Sequence, residues 1–86
     1  MGVADQMRAK LEAAFAPAAL DVIDESHQHA GHAGAREGGE SHFRVVMSAA
    51  SLADMNRVAR SRAVHKVLEE ELAGPVHALA LELSVP

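Results

Sequence analysis

Apolar side chains recur at Val3, Ala4, Met7, Leu11, Ala14 and Phe15. Spacings of three and four place them on one stripe of a helix with 3.6 residues per turn. Gln6, Arg8, Lys10 and Glu12 between them are good helix formers, and Pro17 supplies the stop. The period then shortens. Leu20, Val22 and Ile23 predict a short strand over Ala19–Glu25, and His42–Ser48, with the run Phe43-Arg44-Val45-Val46-Met47, is the clearest strand of the first half. These two strands are expected to pair antiparallel. Between them Ser26–Glu40 holds four glycines, Gly31, Gly34, Gly38 and Gly39. Hairpin connections usually take about 2–5 residues, and connections as long as this one characteristically carry function or disorder.

Beyond the second strand, Ser51 is expected to cap a short turn through Leu52-Ala53-Asp54-Met55. A stronger helix is predicted from Asn56 to Leu72, with Val58, Ala59, Ala63, Val64, Val67, Leu68 and Leu72 on its buried side and Gly74-Pro75 ending it. Val76–Ser84 reads as a third strand, buried on at least one face, with Glu82 returning to solvent. The expected order is α-β-β-α-α-β, a single α+β domain over residues 1–86 with a three-stranded sheet and helices packed on one face. Neither an internal repeat nor a linker divides it.

Composition narrows the class. The 86 residues are 49% hydrophobic and 23% charged, the balance of a globular domain. There is no cysteine, so no disulfide framework is available and nothing argues for an oxidising compartment. The N-terminal residues lack a basic region followed by an apolar one, and no run of about 18 apolar residues occurs. No membrane association and a cytoplasmic location are therefore expected.

Candidate chemistry lies in the histidines. His27, His29 and His32 fall within six residues of the glycine-rich segment; His42 opens the second strand, His65 lies mid-helix and His77 falls within the third strand. His29 and His32 have a spacing at which two ring nitrogens approach one ion from a flexible loop, and Zn, Fe, Ni and Cu all accept imidazole. An inert, solvating loop is the competing reading. Asp24 and Glu25 could add an oxygen ligand or orient a ring. A histidine in a core strand must have its nitrogens satisfied, so His77 is either bonded internally or directed at an edge facing the loop. His65 reads as structural or exposed. Ser26 and Ser41 have neighbouring histidines, but no hydrolase elbow, phosphate loop or dinucleotide fingerprint accompanies them, and the chain is not expected to be an enzyme. Arg57, Arg60, Arg62 and Lys66 form a basic cluster suited to nucleic acid or a protein partner. The net charge of −4 and the run Glu69-Glu70-Glu71 oppose phosphate, and no aromatic platform is present.

Taken in order, Asp24-Glu25-Ser26, His29, Gly39-Glu40-Ser41-His42-Phe43-Arg44-Val45, Arg60-x-Arg62, Leu68-x-x-Glu71-Leu72 and Val76-His77-Ala78-Leu79 resemble the BolA-like protein family. The resemblance covers nearly the whole chain. It implies a class II KH-like fold with a mixed sheet and a non-enzymatic partner of a monothiol glutaredoxin. The two proteins would share a [2Fe–2S] cluster, for iron–sulfur trafficking or iron-status signalling, and none would be held by the chain alone. It also implies ligands at His77 and, in the loop, at His29 with His32 as its rival; the glutaredoxin thiolate and its glutathione would supply sulfur to the other iron. The family's alternative role is a DNA-binding transcriptional regulator of stress response and cell morphology. Here that would act weakly through the helix carrying Arg57, Arg60, Arg62 and Lys66. A monomer or weak homodimer is expected. Two positions depart from the family pattern: Ser61 stands where histidine is usual, and Leu52-Ala53-Asp54 stands where Phe-x-Gly is usual.

Overall fold

A computed structural model describes residues 2–25 and 41–86. Helix α1, Val3–Phe15, buries Met7, Leu11 and Phe15 at the predicted spacing. Ala14 is exposed, contrary to expectation. The helix ends on Ala16, in the left-handed conformation with φ 46°, whose N–H donates to the Glu12 carbonyl. Pro17 prevents continuation because its ring disfavours the helical conformation of the preceding residue.

Strands β1 (Ala19–Asp24) and β2 (His42–Ser48) pair antiparallel, from Ala19 opposite Ser48 to Asp24 opposite Phe43. Strand β3, Ala78–Ser84, joins the other edge of β2 in parallel, with His42 opposite Ala78 and Ser48 opposite Ser84. The sheet order is β1-β2-β3, the expected mixed three-stranded sheet. Side-chain alternation sends Phe43, Val45 and Met47 to the same face as Leu79, Leu81 and Leu83. That face packs on Met7, Leu11, Phe15, Val64 and Leu68 from the helices, forming one core. The other face carries His42, Arg44, Val46, Ala78, Ala80 and Glu82.

Between β2 and β3 the details differ from the sequence reading. A 3₁₀ turn spans Ala50–Leu52, and Ser51 does not cap it: its hydroxyl donates to the Phe15 carbonyl at 3.0 Å and ties the turn to the end of α1. The single helix expected over Asn56–Leu72 is two helices, α2 (Arg57–Val67) and α3 (Glu69–Ala73). Asn56 caps α2, its side chain accepting from the Ala59 N–H at 2.8 Å. The break falls at Leu68, with φ −101° and ψ 18°. The hydrogen bonds Leu68 N–H to Val64 and Leu72 N–H to Leu68 still bridge the joint. The offset lets Leu68 enter the core while Glu71 reaches Lys10 on α1 at 2.8 Å. Val58, expected on the buried side, is 56% exposed, because it lies on the side of α2 away from Val64.

Candidate functional site

Three chain segments converge where β1 ends and β2 and β3 begin. The Glu25 N–H donates to the His42 carbonyl at 2.8 Å. The Ser41 carbonyl accepts two bonds, from the His77 N–H at 2.7 Å and the Ala78 N–H at 3.2 Å. These two hydrogen bonds fix the approach of β3 and bring His77 beside His42, with ring centroids 6.4 Å apart and planes inclined by 21°. Ser41 is fully buried, and its Oγ lies 2.9 Å from His42 Nδ1.

His77 therefore occupies a different environment from the one its neighbours suggest. The expected strand from Val76 starts only at Ala78, and His77 precedes it, exposed. Val76 is buried, its N–H held by the Glu71 carbonyl, so the core boundary falls between these two residues. An exposed imidazole pays no burial cost and stays available to a ligand.

Beside the pair runs a charged row. Arg44 donates from Nε to Glu25 at 2.9 Å and from Nη1 to Glu82 at 3.0 Å, joining the end of β1 to β3 across the open face. Its guanidinium is held above its ordinary range, first by the hydrogen bond it donates to Glu25 and then by that carboxylate's charge. Glu25, a candidate oxygen ligand, is thus engaged with Arg44. It lines, with His42, Arg44 and Ala78, a shallow depression of about 370 Å³. Among the described residues, no group of three or more His, Asp or Glu side chains is arranged to enclose a metal ion.

His29 and His32, with His27, lie outside the described residues, but the segment that carries them leaves at Glu25 and returns at Ser41, both at this end of the sheet. Sequence reasoning took His42 only as the start of a strand and missed its proximity to His77. The clue was the register: a parallel third strand starting after His77 sets that residue next to the first residue of β2. Ser41 stands before the ladder begins, so its hydroxyl and the ring of its neighbour His42 reach one another.

The basic cluster divides. Arg60 is half-buried and its Nε donates to the carbonyls of Leu52 at 3.1 Å and Met55 at 3.0 Å, so it holds the preceding turn against α2. Arg57, Arg62 and Lys66 are exposed. Arg57 and Arg60 line a groove of about 720 Å³ with Asn56, Ser61, Leu81 and Glu82. His65 is exposed, as expected, with Nδ1 2.8 Å from the Ser61 carbonyl oxygen. The glutamate run is split as well, since Glu71 is buried against Lys10 while Glu69 and Glu70 face solvent.

Comparison with known proteins agrees with this architecture. The family model described as "BolA-like protein" matches residues 11–86. The chain is 46% identical to BolA-like protein 1 of Mus musculus, over 93% of this chain and 56% of that protein's length. It is 41% identical to the DNA-binding transcriptional regulator BolA of Escherichia coli, over 94% of this chain and 73% of the relative. Among solved structures, BolA1 from Arabidopsis thaliana superposes with a TM-score of 0.89 at 40% identity, covering 100% of this chain and 94% of that one. With the fold, the ordered motifs and these relatives in agreement, the chain belongs to the BolA-like protein family.

Proposed function

We propose that this domain is a non-enzymatic partner of a monothiol glutaredoxin and shares a [2Fe–2S] cluster with it. The observation that carries the reading is the exposed His77 ring, stacked beside His42 at the point where the His29 and His32 segment leaves and rejoins the sheet. The donor chemistry fits such a group. Imidazole is a ligand iron accepts, and with no cysteine in the chain the sulfur must come from the partner and its glutathione. His77 and a loop imidazole, His29 or its rival His32, would hold one iron. When bound, the cluster supplies a one-electron couple whose potential rises as thiolates give way to imidazole. The domain's own contribution is to present nitrogen donors on a rigid sheet end.

Co-expression with a monothiol glutaredoxin, read by visible absorption and circular dichroism, tests this. His77→Ala should abolish the cluster spectrum of the heterodimer while the domain stays folded, because the ring is exposed and its loss leaves no buried group unpaired. His65→Ala should leave the spectrum unchanged. A full wild-type spectrum and cluster affinity in the His29/His32 double replacement would overturn the loop-ligand assignment.

The second reading is a DNA-binding transcriptional regulator, the description carried by the Escherichia coli relative. Exposed Arg57, Arg62 and Lys66 support it. The acid balance of the chain and the internal employment of Arg60 rank it second.

A further inference from the structure

We propose that the outer edge of β3 pairs with the same edge of a second copy of this chain. The two strands run antiparallel about a two-fold axis at Leu81, and two three-stranded sheets become one of six strands.

The edge is defined by where the backbone bonds of β3 go. The Ala78 N–H donates to the Ser41 carbonyl, and the Ser84 carbonyl accepts from the Ala49 N–H, so both residues turn their peptide groups toward β2. Alternation along a strand gives Ala80 and Glu82 the same direction and turns the N–H and C=O of Leu79, Leu81 and Leu83 outward. Among the described residues no strand lies against that outer side. The side chains at these positions are also incompletely covered. On the core face, Phe43, Val45 and Met47 of β2 are buried, whereas Leu79, Leu81 and Leu83 of β3 remain half-exposed. The groove of about 720 Å³ lined by Leu81, Leu83, Met55, Asn56 and Arg57 runs beside them.

The strand is complementary to itself. With Leu81 opposite Leu81 of the second copy, Leu79 falls opposite Leu83, and each of these pairs has outward peptide groups on both sides. In an antiparallel ladder such pairs exchange both of their N–H···O bonds, so one register satisfies all three outward residues of each copy. It also sets leucine against leucine on the core face, the cross-strand contact that half-exposed apolar side chains lack. On the other face Glu82 falls opposite Ala80, so the two glutamates do not oppose one another, and each is already bonded to Arg44 of its own copy. A second copy is favoured as occupant by charge as well. Edge strands are usually guarded by charges or proline, and β1 carries Asp21 and Asp24, but Glu82 is the one charged residue of β3. In a chain of net charge −4 this is a stretch where two copies meet without repulsion. Outward carbonyls and Glu82 disfavour a phosphate backbone at the same place.

The test follows the full chain by sedimentation and backbone amide exchange from about 10 μM to about 1 mM, the range of a weak association. A monomer–dimer equilibrium is expected. The amides of Leu79, Leu81 and Leu83 should exchange quickly in dilute solution and slow as the dimer fills, while those of Ala78, Ala80 and Glu82 stay protected throughout. In a mixture of labelled and unlabelled chains, an intermolecular contact between the α-protons of Ala80 and Glu82 should report the register. Ala80→Glu sets like charges opposite one another twice per dimer and should weaken association roughly tenfold relative to Ala80→Gln, a replacement of equal size. Arg44 lies beside position 80 on β2, so the added carboxylate is accommodated within its own copy. A chain that stays monomeric over the whole range overturns the proposal. So does a dimer that leaves the three leucine amides unprotected, or one that Ala80→Glu and Ala80→Gln affect equally. Protection of those amides by added monothiol glutaredoxin, with none from concentration alone, would assign the edge to that partner and overturn self-pairing.

Discussion

Ala16 holds φ 46° and ψ 55°, the only described non-glycine residue with positive φ. For an L-residue with a β-carbon this conformation costs roughly 1–2 kcal/mol, and helix ends of this type usually recruit glycine. Ala16→Gly removes the steric part but loosens the unfolded chain, an opposing effect of about 0.4–1 kcal/mol. The net expectation is a gain of about 0.5 kcal/mol, measurable as a higher urea midpoint. Lys10 gives a pH signature. Its hydrogen bond to Glu71, opposed by desolvation and aided by the charges of Glu71 and Glu70, raises its pKa above 10.5. A raised lysine contributes stability that is fully present below the unfolded value and is lost as pH climbs through the folded one. The wild type should therefore lose an increment of stability in the alkaline range beyond about pH 10.5 that Lys10→Met does not show, as followed by denaturation at stepped pH. At this scale the sequence was a partial guide. Met7, Leu11 and Phe15 were legible from spacing, whereas the partners of Ser51, Arg60 and Glu71 were not, because each reaches across an interface that exists only once the elements dock.

Helices and strands were easier to read than their ends. Every strand was recognisable by β-branched or alternating apolar residues, and α1 ran over the expected residues. The joint at Leu68 was hidden, since Ala63 to Leu72 keeps helical periodicity throughout and the bend arises from what the two segments pack against. The start of β3 was misread because Val76 and Ala78 are apolar on either side of His77, and only the bonds to Ser41 show where the ladder begins. Leu68, fully buried at the α2–α3 joint, is the element-scale hinge point of the core. Leu68→Ala should cost about 3 kcal/mol, within the range of about 2–5 kcal/mol for such truncations. In a domain this small that is a large share of a total of about 5–15 kcal/mol. Equilibrium urea unfolding with an unchanged slope would show it.

Across the whole molecule, one core is built from a single sheet face and the helices above it, and among the described residues no helix is long and apolar enough to cross a membrane. The fold class was legible because element order and apolar faces constrain so small a domain to few arrangements. The histidine pair was not, because it depends on a parallel register between residues separated by 35 positions, 42 and 77. Net charge governs the nucleic-acid alternative. With −4 overall and Arg60 occupied by backbone carbonyls, duplex DNA should bind weakly, with the shallow salt slope that only three exposed cations can give. A titration at about 0.15 M salt should give no tight complex, since that ionic strength screens what steering three exposed cations provide. A specific duplex held at nanomolar affinity and lost on changing Arg60 and Arg62 would reverse the order of the two readings.

The parallel placement of β3 has a consequence for how the domain comes into being. An antiparallel β1–β2 pair can form from neighbouring segments, but the other edge of β2 stays open until α2 and α3 have carried the chain back across the sheet. During synthesis the polypeptide therefore emerges with its central strand unguarded, Phe43 and Val45 still lacking Leu79 and Leu81 beside them. An uncovered strand edge of this kind invites pairing with another chain. The completing segment is made after the other two strands of the sheet, so the open edge persists in the nascent domain until residues 78–84 clear the ribosome.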